Sequence, residues 1–284
     1  MFTRLRTLLH TINKSHTSAH PQAPARAMSS TQRVVNTNTA CCSIPPVKHD
    51  YTPKGSYAPF AGFQRVYITG PPESPLAIVT VFDIFGFYPQ TQQGADALAQ
   101  TLNARVVMPD FFEPDKPYPV DRFPPKSQED KDSLQAFFAG PAKPEKAVAG
   151  LIRVGEELRK QGAQKVGAYG LCWGGKVTIL AGSKESPVFD AVASVHPAML
   201  SAADADNLQV PLGLFISKDE PKDEYDKMVE KLKTKSFADK IAYKHYPNMH
   251  HGWAAARADL KNEENKREFE DAYNQLTTFY KNAL

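Results

Sequence analysis

The stretch YGLCWGGK, residues 169–176, places a cysteine among glycines between a strand-like and a helix-like segment. A chain that passes directly from a strand into a helix turns sharply, and Gly170, Gly174 and Gly175 lack the Cβ atoms that would clash there. Such a turn presents Cys172 at the carboxyl end of the strand, beside a helix N-terminus that favours the thiolate. Cys172 is therefore a candidate nucleophile, with a structural cysteine as the alternative.

Strand and helix patterns alternate on both sides of this turn. Runs of apolar and β-branched residues predict strands at residues 76–82, 104–109, 164–170, 190–197, 210–220 and 241–247. Apolar residues at helical spacing predict helices at residues 94–104, 145–162, 176–184, 223–235 and 264–283. This alternation predicts an α/β fold with a mainly parallel central sheet and helices on both faces. In such sheets the active site forms at the carboxyl ends of the strands.

One long segment, from Phe111 to about Pro144, interrupts this alternation. It is rich in proline and in charged residues, and it is too long for an ordinary connection between two elements. We predict that it forms a lid or a partly helical insertion.

An acid and a histidine occupy the positions that a nucleophile in such a turn requires, because each follows a strand further along the chain. Asp219 follows the pattern LGLFISK, and His251 follows IAYKHYPNMH. We expect Asp219 to orient the imidazole, and His251 to take the thiol proton and later deliver it. Glu220, Asp223 and His250 are rivals on position alone.

Charge is distributed unevenly along the 284 residues. Residues 1–49 carry six Lys or Arg and no Asp or Glu, whereas the remainder carries 28 basic and 31 acidic side chains, a net charge of −3. This balance argues against a nucleic-acid partner. No run of 18 apolar residues exists, so the sequence predicts no membrane span.

The first residues, MFTRLRTLLHTINKSHTSAH, combine Arg, Ser and Thr with apolar residues at helical spacing. This composition is typical of a mitochondrial transit peptide. The alternatives are a disordered basic tail and a cytoplasmic protein that starts at Met28. We expect residues 1–40 to form this extension and residues 41–284 to form one catalytic domain.

The three cysteines, Cys41, Cys42 and Cys172, are too few for a disulfide framework, which indicates a reducing compartment. Neither the adjacent pair nor the histidines at 245, 250 and 251 have the spacing of a metal site. We therefore expect no metal and no cofactor.

Five motifs in this order resemble the dienelactone hydrolase family: VFDIFGF, MPDFF, GLCWGGK, SKDE and HHGW. The resemblance runs from about CCSIPPVKHD to the C-terminal helix and is particularly like the fungal and other eukaryotic members. It implies the α/β-hydrolase fold and a triad of Cys172, His251 and Asp219, with the histidine directly before a glycine as the matching one. It also implies an oxyanion hole formed by the backbone N–H groups of Ile84 and Trp173.

Two positions depart from the bacterial members of the family. Asp83 stands where these have a Glu that activates the thiol, and here it either supports the thiol or braces the loop that presents Ile84. The bacterial members hold the substrate carboxylate with arginines, and Arg257 in GWAAARAD is the nearest candidate, at an altered spacing.

Three further residues are candidates for substrate binding. His196, in SVHPAM, ends a strand and either lines the pocket or is a hydrogen-bonded structural histidine. Phe85 and Trp253 belong to an aromatic group that forms either an apolar pocket or part of the core.

Together these features predict a hydrolase that cleaves a small ester, lactone or thioester through a covalent acyl-enzyme, as a monomer or homodimer. One alternative is a non-catalytic protein that binds a small molecule. Another is a thiol redox sensor, although no resolving cysteine lies near Cys172 in the sequence.

Overall fold

The computed structural model describes Asn36 and residues 44–284. Apart from Asn36, the predicted extension at residues 1–40 lies outside the described residues, as do Cys41 and Cys42. The strands are β1 (Ser56–Phe60), β2 (Phe63–Thr69), β3 (Leu76–Val81), β4 (Arg105–Pro109), β5 (Lys165–Leu171), β6 (Ala191–Val195), β7 (Leu212–Ser217) and β8 (Ala242–Tyr246). The α-helices are α1 (Pro89–Leu102), α2 (Gln128–Ala139), α3 (Pro144–Lys160), α4 (Trp173–Gly182), α5 (Lys222–Leu232) and α6 (Glu263–Ala283).

The strands form one sheet in the order β1-β2-β4-β3-β5-β6-β7-β8. Strands β3 to β8 run parallel, and β2 pairs antiparallel with both β1 and β4. The predicted α/β-hydrolase fold with a mainly parallel sheet is thus confirmed.

The antiparallel pair β1–β2 is absent from the strands predicted by the sequence analysis. Its turn is formed by Ala61 and Gly62, whose φ angles of 49° and 84° suit the tight connection of a hairpin. The strand β2 mixes buried with exposed residues, unlike the continuous apolar run of the central strand β3. Gly62, directly before β2, is the signal for this turn in the sequence.

Helices cover both faces of the sheet, as strand β5 illustrates. Gly167 faces Tyr280 of α6, whereas Gly170 faces the backbone of α4. Because side chains alternate along a strand, residues three apart point to opposite faces. No helix in the described part of the chain is long and apolar enough to cross a membrane.

The parallel register brings the loops after β5, β6, β7 and β8 to one edge of the sheet, because these four strands are neighbours in that order. The loops carry, respectively, Cys172, His196, the pair Asp219–Glu220 and His251. Residues far apart in sequence are therefore assembled at the carboxyl edge of the sheet.

Candidate active site

Cys172 joins β5 directly to α4 in a backbone conformation that is uncommon for a residue other than glycine, with φ 57° and ψ −117°. Its N–H donates to the carbonyl of Val195 at 3.1 Å, and its carbonyl accepts from the N–H of Ala198 at 3.0 Å. A Cβ atom on Gly170 would lie 2.0 Å from the carbonyl carbon of Gly174. The sharp, glycine-dependent turn predicted from the sequence is therefore present.

The two backbone N–H groups expected to form the oxyanion hole lie on different elements. The N–H of Trp173 is at the first position of α4. The N–H of Ile84 lies in the loop that follows β3. Asp83 braces the loop of Ile84, since its carboxylate accepts from Phe85 N at 2.9 Å and from Ala256 N at 3.4 Å. These contacts account for the bracing role foreseen for Asp83, whereas activation of the thiol stays a prediction.

His251 is paired with Glu220 rather than with Asp219. The distance from Nδ1 of His251 to Oε1 of Glu220 is 2.6 Å, and both side chains are fully buried. The other carboxylate oxygen of Glu220 accepts from the N–H of Ser217. The carboxylate of Asp219 accepts instead from the backbone N–H of His251 at 2.8 Å. The expected pairing of Asp219 with the imidazole is therefore wrong, because Glu220 makes the contact with Nδ1 of His251 that a triad acid makes.

His250, the rival histidine, is turned toward a different partner. Its Nε2 lies 3.3 Å from the carbonyl oxygen of Arg257. Burial lowers the pKa of His250 below its usual value, which favours the neutral ring. Of the two adjacent histidines, His251 is the one with a buried carboxylate on its ring.

Arg257 is buried between two aromatic rings. Its guanidinium carbon lies 5.2 Å from the ring centre of Phe85 and 5.0 Å from that of Phe123, within the range of cation–π interactions. Its Nη1 lies 3.4 Å from the carbonyl oxygen of His251. The guanidinium therefore lies against the backbone of the candidate base, and Phe85, a candidate pocket residue, flanks it.

The ring of His196 contacts the rings of His251 and Trp253 edge to face. The ring centres of His196 and His251 are 5.1 Å apart, and those of His196 and Trp253 are 5.3 Å apart. Trp253 also packs on Tyr246, at 4.8 Å between ring centres, and its Nε1 donates to the carbonyl of Glu268 at 3.4 Å. These contacts place Trp253 in the core behind His196.

The segment 111–144 is partly helical, as predicted, and it packs on the site. It contains α2, whose N-terminus is closed by a capping box of Ser127 and Asp130, and a short 3₁₀ turn at Val120–Arg122. Tyr118 donates its N–H to the carbonyl of Ile84 at 2.9 Å. Trp173 donates its Nε1–H to the carbonyl of Ala142 at 2.6 Å. Both loops expected to carry oxyanion donors are thus tied to this segment.

Two site residues were not foreseen in these positions. From the sequence Glu220 is only a rival to Asp219 as the acid. The feature that could have indicated Glu220 is its position in the same loop, one residue further from β7. Phe123 comes from the insertion, where no pattern indicates which aromatic residue reaches Arg257. Among the described residues, no group of three or more His, Cys, Asp or Glu side chains is arranged to hold a metal ion.

Comparisons with known proteins identify the family and related folds. Residues 64–284 match the model of the dienelactone hydrolase family. An AIM2 family protein of Schizosaccharomyces pombe is 34% identical over 82% of this chain and 93% of its own length. A carboxymethylenebutenolidase homolog of Xenopus tropicalis is 30% identical over 83% of this chain and 94% of its own length. In fold, the chain is similar to a dienelactone hydrolase-like promiscuous phosphotriesterase from metagenomic libraries, with a TM-score of 0.55 and 16% identity over 81% of this chain and 98% of that one.

Proposed function

The chain belongs to the dienelactone hydrolase family, and we propose that it cleaves a small ester, lactone or thioester through a covalent acyl-enzyme on Cys172. The observation that carries this proposal is the buried pair of His251 and Glu220, placed at the same edge of the sheet as the strained turn that bears Cys172. A buried imidazole with a carboxylate on Nδ1 is suited to take a proton at Nε2.

In the proposed reaction His251 accepts the proton of the Cys172 thiol, and the thiolate attacks the carbonyl carbon of the substrate. The N–H groups of Ile84 and Trp173 stabilise the negative charge on the carbonyl oxygen. The leaving group departs with the proton from His251, and His251 then activates water to release the acid and regenerate the thiol. Glu220 stabilises the imidazolium at both stages.

The residues around the pair favour a substrate with a negative charge. Arg257 is held between Phe85 and Phe123, so its guanidinium has a fixed position. A flexible surface side chain would lack such a position. A carboxylate on the substrate would pair with it, while the aromatic rings would contact the apolar part of the acyl group.

Hydrolysis of a panel of aryl esters, lactones and thioesters by the full chain tests the proposal, with Cys172→Ala and Cys172→Ser proteins measured in parallel. We expect activity in the parent protein only, and an acylated Cys172 peptide in a mass spectrum after rapid acid quenching. Turnover that persists in Cys172→Ala would refute the role of the thiol. Binding of these compounds without any turnover in the parent would indicate a binding protein instead.

The choice between the two adjacent histidines needs its own pair of variants. His251→Ala is expected to lower kcat/KM by several orders of magnitude, because members of a triad act as a unit. His250→Ala is the matched control, and we expect a much smaller loss. The opposite result would transfer the role of base to His250.

We also propose mitochondrial targeting by residues 1–40, on the basis of their composition. A fluorescent reporter fused to residues 1–40 is expected to co-localise with a mitochondrial dye, and a fusion that begins at Met28 is expected to stay in the cytosol. A diffuse signal from both fusions would favour a start at Met28.

A further inference from the structure

His196 directly follows β6 in an uncommon backbone conformation, with φ 39°. Its backbone N–H donates to the carbonyl of Phe215 at 2.7 Å, which fixes it at the carboxyl edge of the sheet. Its ring is fully buried and meets the rings of His251 and Trp253 edge to face, each at an interplanar angle of 68°. A non-glycine residue held at positive φ costs free energy, and such residues cluster at functional sites.

Within the described part of the chain, neither ring nitrogen of His196 has a hydrogen-bond partner, although both are buried. A buried polar group without a partner costs free energy, and a phenylalanine of similar shape would avoid that cost. No other residue of the described chain provides that partner. A ligand that reaches the ring would supply it.

The chemistry of the ring limits what that ligand can be. Burial, followed by the nearby His251, Arg257 and His250, lowers the pKa of His196 well below its usual value, so the ring is neutral. A neutral imidazole offers one N–H donor and one nitrogen acceptor. A hydroxyl group is complementary to it, because a hydroxyl both donates and accepts. A carboxylate would use only the donor, and Arg257 already provides a stronger partner for it.

We propose that His196 is a specificity-determining residue that hydrogen-bonds a hydroxyl group on the acyl part of the substrate, on the carbon next to the scissile carbonyl. This proposal rests on the proposed function, since it takes His251 as the base at the reacting carbonyl. The ring centres of His196 and His251 are 5.1 Å apart, so a group that contacts His196 lies close to the proposed base and to the carbonyl that reacts there. The substrate class is therefore 2-hydroxy esters or the corresponding thioesters.

Methyl mandelate and methyl 2-phenylpropanoate provide the test, because they differ only by a hydroxyl or a methyl group on that carbon. Their dissociation constants are measured by calorimetry on the full chain carrying Cys172→Ala, in which the thiol cannot attack. We expect the hydroxy ester to bind about tenfold tighter, and His196→Phe in the same protein to abolish this preference. His196→Asn, which keeps a donor and an acceptor and tolerates positive φ, is expected to retain part of it.

The matched control is His245→Phe on β8, because the Nε2 atom of His245 is also buried without a hydrogen-bond partner among the described residues. We expect the preference for the hydroxy ester to be unchanged there. Circular dichroism and thermal melting show which variants are folded, and His196→Asn serves if His196→Phe is not. An equal preference with and without His196, or no preference in the parent, would overturn the proposal.

The kinetic constants of proteins that retain Cys172 separate this inference from the proposed function. A binding preference that depends on His196, together with no turnover of these esters or of any compound in the panel, would leave the hydroxyl contact at His196 standing and refute the hydrolase. Hydrolysis of both esters with a kcat/KM ratio that does not depend on His196 would support the hydrolase and refute the role of His196.

Discussion

The Nδ1 atom of His251 and the Oε1 atom of Glu220 are 2.6 Å apart, and both side chains are fully buried. The residues are 31 positions apart in the chain, one after β7 and the other after β8. An ionised carboxylate only accepts hydrogen bonds, so this contact fixes the imidazole proton on Nδ1 and leaves Nε2 as the basic nitrogen. The acid that sets the tautomer of the candidate base is thus identified by geometry.

Glu220→Gln and Asp219→Asn form an isosteric pair that separates the two acids. We expect Glu220→Gln to lower kcat/KM at least about a hundredfold, because an amide no longer stabilises the imidazolium. Asp219→Asn is expected to cost less than about tenfold, since its side-chain oxygen can still accept from the N–H of His251. Steady-state kinetics on the best ester of the panel checks this. A larger loss in Asp219→Asn would return the role of triad acid to Asp219.

Gly174→Ala tests the turn that presents the thiol. A Cβ atom there would lie 2.3 Å from the carbonyl oxygen of Val81, a backbone atom of a central strand that has little room to move. We expect the free energy of unfolding in urea to fall by about 2 kcal/mol or more. Gly162→Ala is the control, because its Cβ would meet nothing within 4 Å and only the positive φ of 101° opposes it. If both variants lose the same stability, close packing at Gly174 is not what requires the glycine.

Arg257→Met tests the preference for anionic substrates. Monomethyl succinate and methyl pentanoate have similar lengths, but only the former carries a carboxylate. We expect the kcat/KM ratio of the two to fall about tenfold to a hundredfold in the variant, because a charge-assisted hydrogen bond is lost. Arg153→Met is the control, since Arg153 also lies over a phenylalanine ring, that of Phe63 at 5.2 Å, but is exposed on α3. Equal losses for both esters would show that Arg257 has a structural role only.

His196 makes a prediction about stability as a function of pH. Burial holds its pKa in the folded protein well below 6.5, so below pH 6.5 the unfolded chain binds a proton that the folded protein does not. The contribution of this group to stability is therefore lost as the pH falls through 6.5. Urea unfolding at pH 7.5 and pH 5.5 is expected to show a smaller loss in His196→Phe than in the parent. The same loss in both proteins would mean that His196 is protonated when folded.

The sequence alone determined the elements that depend on local patterns. Continuous apolar runs located β3 to β7, because strands buried on both faces need no polar alternation. The glycines around Cys172 located the turn, because only residues without a Cβ fit where β5 passes directly into α4. The order of nucleophile, acid and histidine along the chain narrowed the site to three loops.

Only the tertiary structure decided which side chain in each loop faces the site. Asp219 and Glu220 are adjacent carboxylates after the same strand, and their separate partners depend on how the loop after β7 meets the loop after β8. The contact of Phe123 with Arg257 depends on how an irregular insertion packs across the edge of the sheet. His196 could not be weighed from sequence either, because a missing hydrogen-bond partner becomes visible only when every neighbouring element is in place. Local patterns fix the backbone path, whereas long-range packing selects the contacts that carry chemistry.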